Sequence, residues 1–216
     1  MSNSLLLIAL LSLALAHPFL PPESFGHAVF QVTISAVLIA ALWAVSRHRG
    51  VLAVGLSLAV PTFVAAWMQH FVHQRWLTAV YLVLGALFLA FTAIVVLRQT
   101  LGGAAVTTDT IAGAICFYLL LGVIWALIYA LIELGHPGSF LDGGRPVSSA
   151  GHRALVPELL YLSLVTLSTV GDGDTLPVTQ QARMLAALEG IIGPLYLAVL
   201  IARLVGLAAS RSHPGT

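Results

Sequence analysis

Five stretches of this chain stay apolar over the length that a bilayer demands: Ala28 to Ser46, Val51 to Met68, Trp76 to Leu97, Ile111 to Leu134 and Met184 to Ala209. A spanning helix needs about 20 mostly apolar residues, because the hydrocarbon offers no water to satisfy an open backbone. Charge is correspondingly scarce. Only 8% of the 216 residues are charged and 59% are hydrophobic, whereas a soluble domain carries about 25% charged residues. The chain therefore reads as an integral membrane protein. Leu5 to Ala16 is shorter, but it extends through His17-Pro18-Phe19-Leu20. It reads either as one more span, the first in the chain, or as a secretory signal ending at Ala14-Leu15-Ala16. The lack of positive charge in Met1 to Ser4 weighs against the signal.

A further apolar run, Leu155 to Ser168, is too short to cross, and a turn-rich polar stretch follows it. Non-helical backbone at membrane depth is tolerated only where protein buries it or where it lines water. A re-entrant segment meets that condition. Arg47, His48, Arg49, Arg98, Arg203 and Arg211 fall on one side of this plan, which the positive-inside rule assigns to the cytoplasm. Glu23, Asp142, Glu158, Asp172 and Asp174 fall on the other, together with Arg75, Arg145 and Arg153.

After the short run comes Thr169-Val170-Gly171-Asp172-Gly173-Asp174. Gly171 and Gly173 permit backbone angles that a side chain would forbid. Alternating such residues lets successive carbonyls point the same way. The carbonyls of Thr169 and Val170, with the Thr169 hydroxyl, can then form stacked oxygen sites for a dehydrated cation. Loops of the TVGYG type do this in potassium channels, their carbonyls replacing an ion's water shell. Pro157 stands near the start of the preceding helix, where proline is tolerated. The far end of that helix carries partial negative charge, which favours cations.

Residues 111–209 resemble the pore domain of the potassium-channel superfamily. The signal is carried by the pore helix, Thr166-Leu167-Ser168-Thr169-Val170-Gly171, Gly173-Asp174, Pro177-Val178-Thr179 and Gly193, in the family's order and spacing. The overall plan is similar to small bacterial six-span members. The resemblance implies an all-α membrane protein of six transmembrane helices with a re-entrant pore helix and filter loop. It implies a homotetramer in the bilayer of a bacterial inner membrane, with the filter facing outside and the C-terminus in the cytoplasm. Residues 1–99 would form an accessory bundle of four spans, 100–110 a cytoplasmic linker, 111–209 the pore unit and 210–216 a short tail. Gly135 to Gly151, rich in Gly, Pro and Ser, reads as an exposed outer turret.

Three positions depart from the family pattern. Asp172 stands where a tyrosine would brace the filter, Tyr161-Leu162 where many members hold a tryptophan pair, and Val165 where many hold an acid. The loop instead resembles that of a bacterial channel conducting both sodium and potassium. The implication is a widened upper filter and weak selection between K⁺ and Na⁺. Four copies of Asp172 and Asp174 would crowd carboxylates at the mouth, where oxygen clusters suit Ca²⁺. For Asp174 a structural hydrogen bond to the pore helix is the competing expectation.

Gly193-Pro194 interrupts the last span at the family's hinge position, where proline removes a helix hydrogen bond. Glu189, an acid within that span, is a functional candidate by default; it reads either as structural support facing the pore helix, with Thr166 or Ser168 as partners, or as a charge facing the cavity. Glu133 ends the previous span and reads as interfacial. His70 and His73 at i, i+3 are too few to hold a metal and read as an interfacial loop, with Trp67 and Trp76 in an aromatic belt. Voltage sensing needs several regularly spaced Arg on one helix, and the fourth span has none between Arg75 and Arg98. Gating then comes from the membrane part, the filter or a partner. The single cysteine, Cys116, sits in an apolar run, so neither an internal disulfide nor a CxxC motif is available.

The leading expectation is a tetrameric, non-voltage-gated cation channel passing K⁺ and Na⁺, with divalent binding or block at the mouth. The alternatives are a K⁺-selective channel of the same architecture and a non-conducting channel-like subunit. No enzymatic motif such as HExxH or GxSxG occurs. No cofactor beyond the permeant ions and Ca²⁺ is expected, and no nucleic acid.

Overall fold

The structure, a computed structural model, describes residues 2–16, 24–45, 49–69, 74–102, 107–151, 155–171 and 173–212. The chain runs α1 (Ser2–Ala16), α2 (Ser24–Val45), α3 (Arg49–Met68), α4 (Arg75–Gly102), α5 (Thr108–Gly135), β1 (Phe140–Asp142), β2 (Arg145–Pro146), a 3₁₀ turn Val147–Ala150, α6 (Leu155–Leu167), β3 (Thr175–Pro177) and α7 (Gln180–Ser212). Four helical segments among the described residues are long and apolar enough to cross a membrane: Gly50–Met68, Arg75–Gly102, Thr108–Gly135 and Gln180–Leu207. Asn3–Leu13 and Val32–Ala44 are apolar but shorter. At 13 residues, α6 reaches about 20 Å, well short of a hydrocarbon core of about 30 Å.

The all-helical expectation needs a correction. The segment expected as an exposed outer turret is built on a small antiparallel sheet of order β2-β1-β3. Gly143 and Gly144, at φ 52° and 81°, make the two-residue turn that lets β1 pair with β2, the backbone twist that hairpins favour. The chain after the Thr169–Asp174 segment returns as β3 to pair with β1, with Leu141 opposite Leu176 and Asp142 opposite Thr175.

Within the stretch expected as a linker, 100–110, α4 continues to Gly102 and α5 begins at Thr108. A capping box sets that start: the Thr107 hydroxyl accepts the Thr110 N–H at 3.2 Å, and the Thr110 hydroxyl accepts the Thr107 N–H at 3.3 Å.

The first four helices are packed onto the rest. α4 lies along both α3 and α5, and α1 packs on α2 and α5. Leu82, Phe88 and Val96 of α4 and Leu120, Ala126 and Ala130 of α5 are completely buried. Gly85 leaves room for the Leu127 side chain, which a Cβ would meet at 3.4 Å. Arg75 donates to the Leu134 carbonyl at 2.7 Å, a cation placed on the last turn of α5 where the helix end is partly negative. At the other end of α5, Asn3 of α1 donates to the Asp109 carbonyl at 3.3 Å, and the Cys116 thiol donates to the Asn3 carbonyl at 3.2 Å. By contrast α7 leaves a long apolar face uncovered, including Met184, Ile191, Leu195, Val199 and Val205.

Candidate functional site

α6 ends in a tight cap. The Thr169 N–H donates to the Thr166 carbonyl at 3.0 Å, and the Val170 and Gly171 N–H groups both donate to the Val165 carbonyl, at 2.9 and 3.2 Å. This pairing is the Schellman pattern, which calls for a left-handed residue at its turning point. Thr169 occupies it at φ 61°. Glycine usually stands there; a β-branched residue gives up about 1–2 kcal/mol. Its hydroxyl donates to the Ser168 carbonyl at 2.7 Å and keeps lone pairs for another partner.

Gly171 and Gly173 follow at φ 60° and 89°, with Val170 not in the left-handed region. Left-handed backbone thus recurs at positions 169, 171 and 173. The glycines were foreseeable from their type; the left-handed threonine carries no sequence signal. Val170 is 68% exposed, and Thr169, Gly171, Gly173 and Asp174 are exposed as well. Asp172, His70 and His73 lie outside the described residues. The Asp174 side chain makes no hydrogen bond to α6 among the described residues; its carbonyl accepts the Gly143 N–H at 3.4 Å.

The exit from this segment is fixed through Glu133. That side chain is fully buried, not interfacial. It accepts N–H groups from Gly138 and Phe140 at 2.9 Å each and from Ser148 at 3.2 Å. These bonds hold β1, and β1 holds β3. Phe140 packs its ring 5.0 Å from that of Tyr129. At the start of α6, burial and then the nearby Asp142 carboxylate push the Glu158 carboxyl above its ordinary range.

α6 is held from behind by α5 and α7. Tyr118 of α5 donates to the Leu167 carbonyl at 2.9 Å. Gly193 of α7 lies against the same carbonyl, so that a Cβ there would stand 2.0 Å from the oxygen. Gly122 of α5 is similarly close-packed, since a Cβ would come within 2.9 Å of Leu164. Helices approach this closely only through such small residues. Glu189 is completely buried and bonds Tyr129 of α5 and Ser163 of α6. It does face α6, but its partner there is Ser163, one turn before the Thr166 and Ser168 expected from spacing. α7 runs unbroken through Pro194, which is exposed. One turn on, Tyr196 donates to the Ala114 carbonyl at 2.8 Å and packs on Phe117 with ring centroids 4.8 Å apart. Of the positions singled out for departing from the pattern, Tyr161 is 41% exposed and Val165 contributes its carbonyl to the cap.

Sequence reasoning passed over Tyr118, Tyr129, Ser163 and Gly122. The usable signal was the phenol groups within apolar runs, since a buried tyrosine hydroxyl seeks a partner.

Comparison with known proteins finds matches over the same part of the chain. Residues 107–209 match the family model described as "Ion channel". Protein LctB of Geobacillus stearothermophilus is 36% identical over 88 residues, covering 40% of this chain and 62% of that protein. The chain therefore spans less than two thirds of that relative. No solved structure matches the chain. A short helix braced between two apolar helices, capped by a glycine-alternating segment and matched by the ion-channel model, leads to one assignment. Residues 107–209 are similar to the ion-channel family, which supports a pore domain of the potassium-channel superfamily there.

Proposed function

We propose that four copies of this chain form a non-voltage-gated channel that passes K⁺ and Na⁺ through Thr169–Asp174. In this reading the six longer helices span the membrane, α6 enters and leaves on the outer side, and the C-terminus is cytoplasmic. The observation that carries it is the alternation of left-handed backbone at positions 169, 171 and 173, exposed at the C-terminal end of α6. One copy offers a cation only one flank of carbonyls. A ring of oxygens, which selective dehydration demands, needs copies around an axis, and the uncovered apolar face of α7 suits contact with neighbours and lipid.

The acidic residues give the proposal a second edge. Asp174 is exposed beside the strand that leaves the filter, and Asp172 precedes it by two positions. Carboxylates clustered at a mouth bind divalent cations more tightly than monovalent ones. Millimolar external Ca²⁺ is expected to reduce Na⁺ current through the purified protein in planar bilayers severalfold, and Asp172→Asn with Asp174→Asn to relieve the block. Sodium current indifferent to Ca²⁺ removes the divalent site while leaving the pore. Absence of any current favours a non-conducting channel-like subunit.

The helix contacts bear on gating. Glu189 ties α7 to α5 and α6 before Gly193, and Tyr196 ties it to α5 beyond Pro194. A bend at Gly193-Pro194 that moves the cytoplasmic half of α7 must break the Tyr196 bond and can leave the Glu189 bonds intact. Tyr196→Phe keeps the ring packing and deletes that bond. It is expected to raise open probability about twofold to tenfold, as a hydrogen bond of modest net strength allows, in single-channel recordings.

A further inference from the structure

We propose that Glu189 is a neutral carboxylic acid whose proton, passed as a hydrogen bond to Ser163, positions α6 for conduction. Only the last part of this rests on the channel reading; the protonation state follows from counting hydrogens. Tyr129 Oη meets Glu189 Oε2, and Ser163 Oγ meets Glu189 Oε1. The same Ser163 Oγ lies 2.8 Å from the Gly122 carbonyl oxygen. Those are three contacts between oxygens, and each needs one hydrogen. The phenol and the serine hydroxyl supply one apiece, and a carbonyl supplies none.

Were Glu189 ionised, Ser163 would face two acceptors with a single hydrogen. Two lone-pair-bearing oxygens would then be pressed together in a buried site, where an unmade bond is costly. A proton on Oε1 closes the set. Glu189 donates to Ser163, Ser163 donates to Gly122, and Tyr129 donates to Oε2. Both side-chain partners are hydroxyls, so no cation offsets a carboxylate, and an unpaired charge inside a spanning helix is expensive. Glu133 has the opposite arrangement: its three partners are all backbone N–H donors, and a carboxylate accepts them without contributing a hydrogen.

The resulting chain joins three helices at one level. Glu189 lies one turn before Gly193 of α7, Ser163 one turn before Leu167 of α6, and Gly122 between Tyr118 and Tyr129 of α5. Glu189 is thus a positioning residue: it fixes α6 through Ser163, and α6 carries the filter.

Infrared difference spectroscopy of the lipid-reconstituted protein tests this. The wild-type protein is expected to show a protonated-carboxyl C=O band that disappears in Glu189→Gln and shifts in Ser163→Ala. A glutamine amide can make the same two bonds, accepting from Tyr129 and donating to Ser163, and leaves Ser163 free to donate to Gly122, so Glu189→Gln is expected to keep unit conductance within about twofold, while Glu189→Ala lowers it on the order of tenfold. A wild-type spectrum without the band, or a band that survives in Glu189→Gln and ignores Ser163→Ala, overturns the neutral acid. Equal conductance of Glu189→Ala and wild type overturns the positioning role. A protein that shows the band and passes no ions sustains the neutral acid and contradicts the channel reading instead.

Discussion

Gly193→Ala is expected to cripple the channel while Gly206→Ala, on the same helix, leaves it intact. A Cβ at Gly193 would stand 2.0 Å from the Leu167 oxygen, 3.0 Å from its carbonyl carbon and 3.3 Å from its Cα. All three are backbone atoms, so no side-chain rotation relieves the overlap. Either α7 or the end of α6 must shift. At Gly206 nothing lies within 4 Å of an added Cβ. Overpacking of this kind costs about 1–3 kcal/mol, and here the displaced carbonyl sits two residues before Thr169. A glycine that served only as a hinge would give a different result, since alanine would stiffen the helix and change open probability without touching conductance. Close packing predicts lower unit conductance and altered ion preference as well. Single-channel recording separates the two, and an unchanged unit conductance in Gly193→Ala would speak for the hinge.

The second large effect is expected at Glu133. Glu133→Gln replaces an acceptor with an NH₂ group facing at least one backbone N–H, so two donors meet. Hydrogen bonds to a charged acceptor contribute about 1.5–3 kcal/mol each, and a stranded buried donor adds its own cost. The loss concentrates in β1 and, through the Leu141–Leu176 pairing, in β3. The amides of Gly138, Phe140 and Ser148 are expected to exchange hydrogen at least about tenfold faster, with a lower melting temperature. Exchange at wild-type rates would contradict the assignment. Glu189→Gln, chemically the same change in another buried glutamate, is expected to be nearly silent by both measures. The opposite outcomes arise because one glutamate meets only donors and the other needs to be a donor.

Much of the architecture was legible because it depends on local pattern. Apolar length marks α3, α4, α5 and α7, and the short run at 155–168 is found as a helix over Leu155–Leu167. Gly171 and Gly173 are recognisable as left-handed positions because no other residue type adopts that backbone so readily. What was missed depends on contacts distant in sequence. Gly143-Gly144 was read only as part of an exposed outer turret, although two glycines between short extended segments are a hairpin signal. Its third strand, Thr175–Pro177, comes from beyond α6, where nothing local announces pairing. Glu133 was read as interfacial because an acid at a helix end is ordinarily solvated; its burial depends on three backbone donors between Gly138 and Ser148. For Glu189 the direction towards α6 was legible from spacing, but its partner was not, because tyrosine and serine converge on it from two other helices.

These contacts bear on the departures at Tyr161 and Val165. The absent family side chains suggested a loosened filter. α6 is braced from behind by Tyr118, Ser163, Glu189 and Gly193, and the Val165 backbone carries its cap.

The most direct measurement is the reversal potential of the purified protein in planar bilayers, with Na⁺ on one side and K⁺ on the other, compared with Asp172→Tyr. The account predicts a wild-type reversal potential near zero and a shift towards the K⁺ equilibrium potential in the variant. A wild-type current that already reverses at the K⁺ potential, unmoved by the substitution, would contradict it.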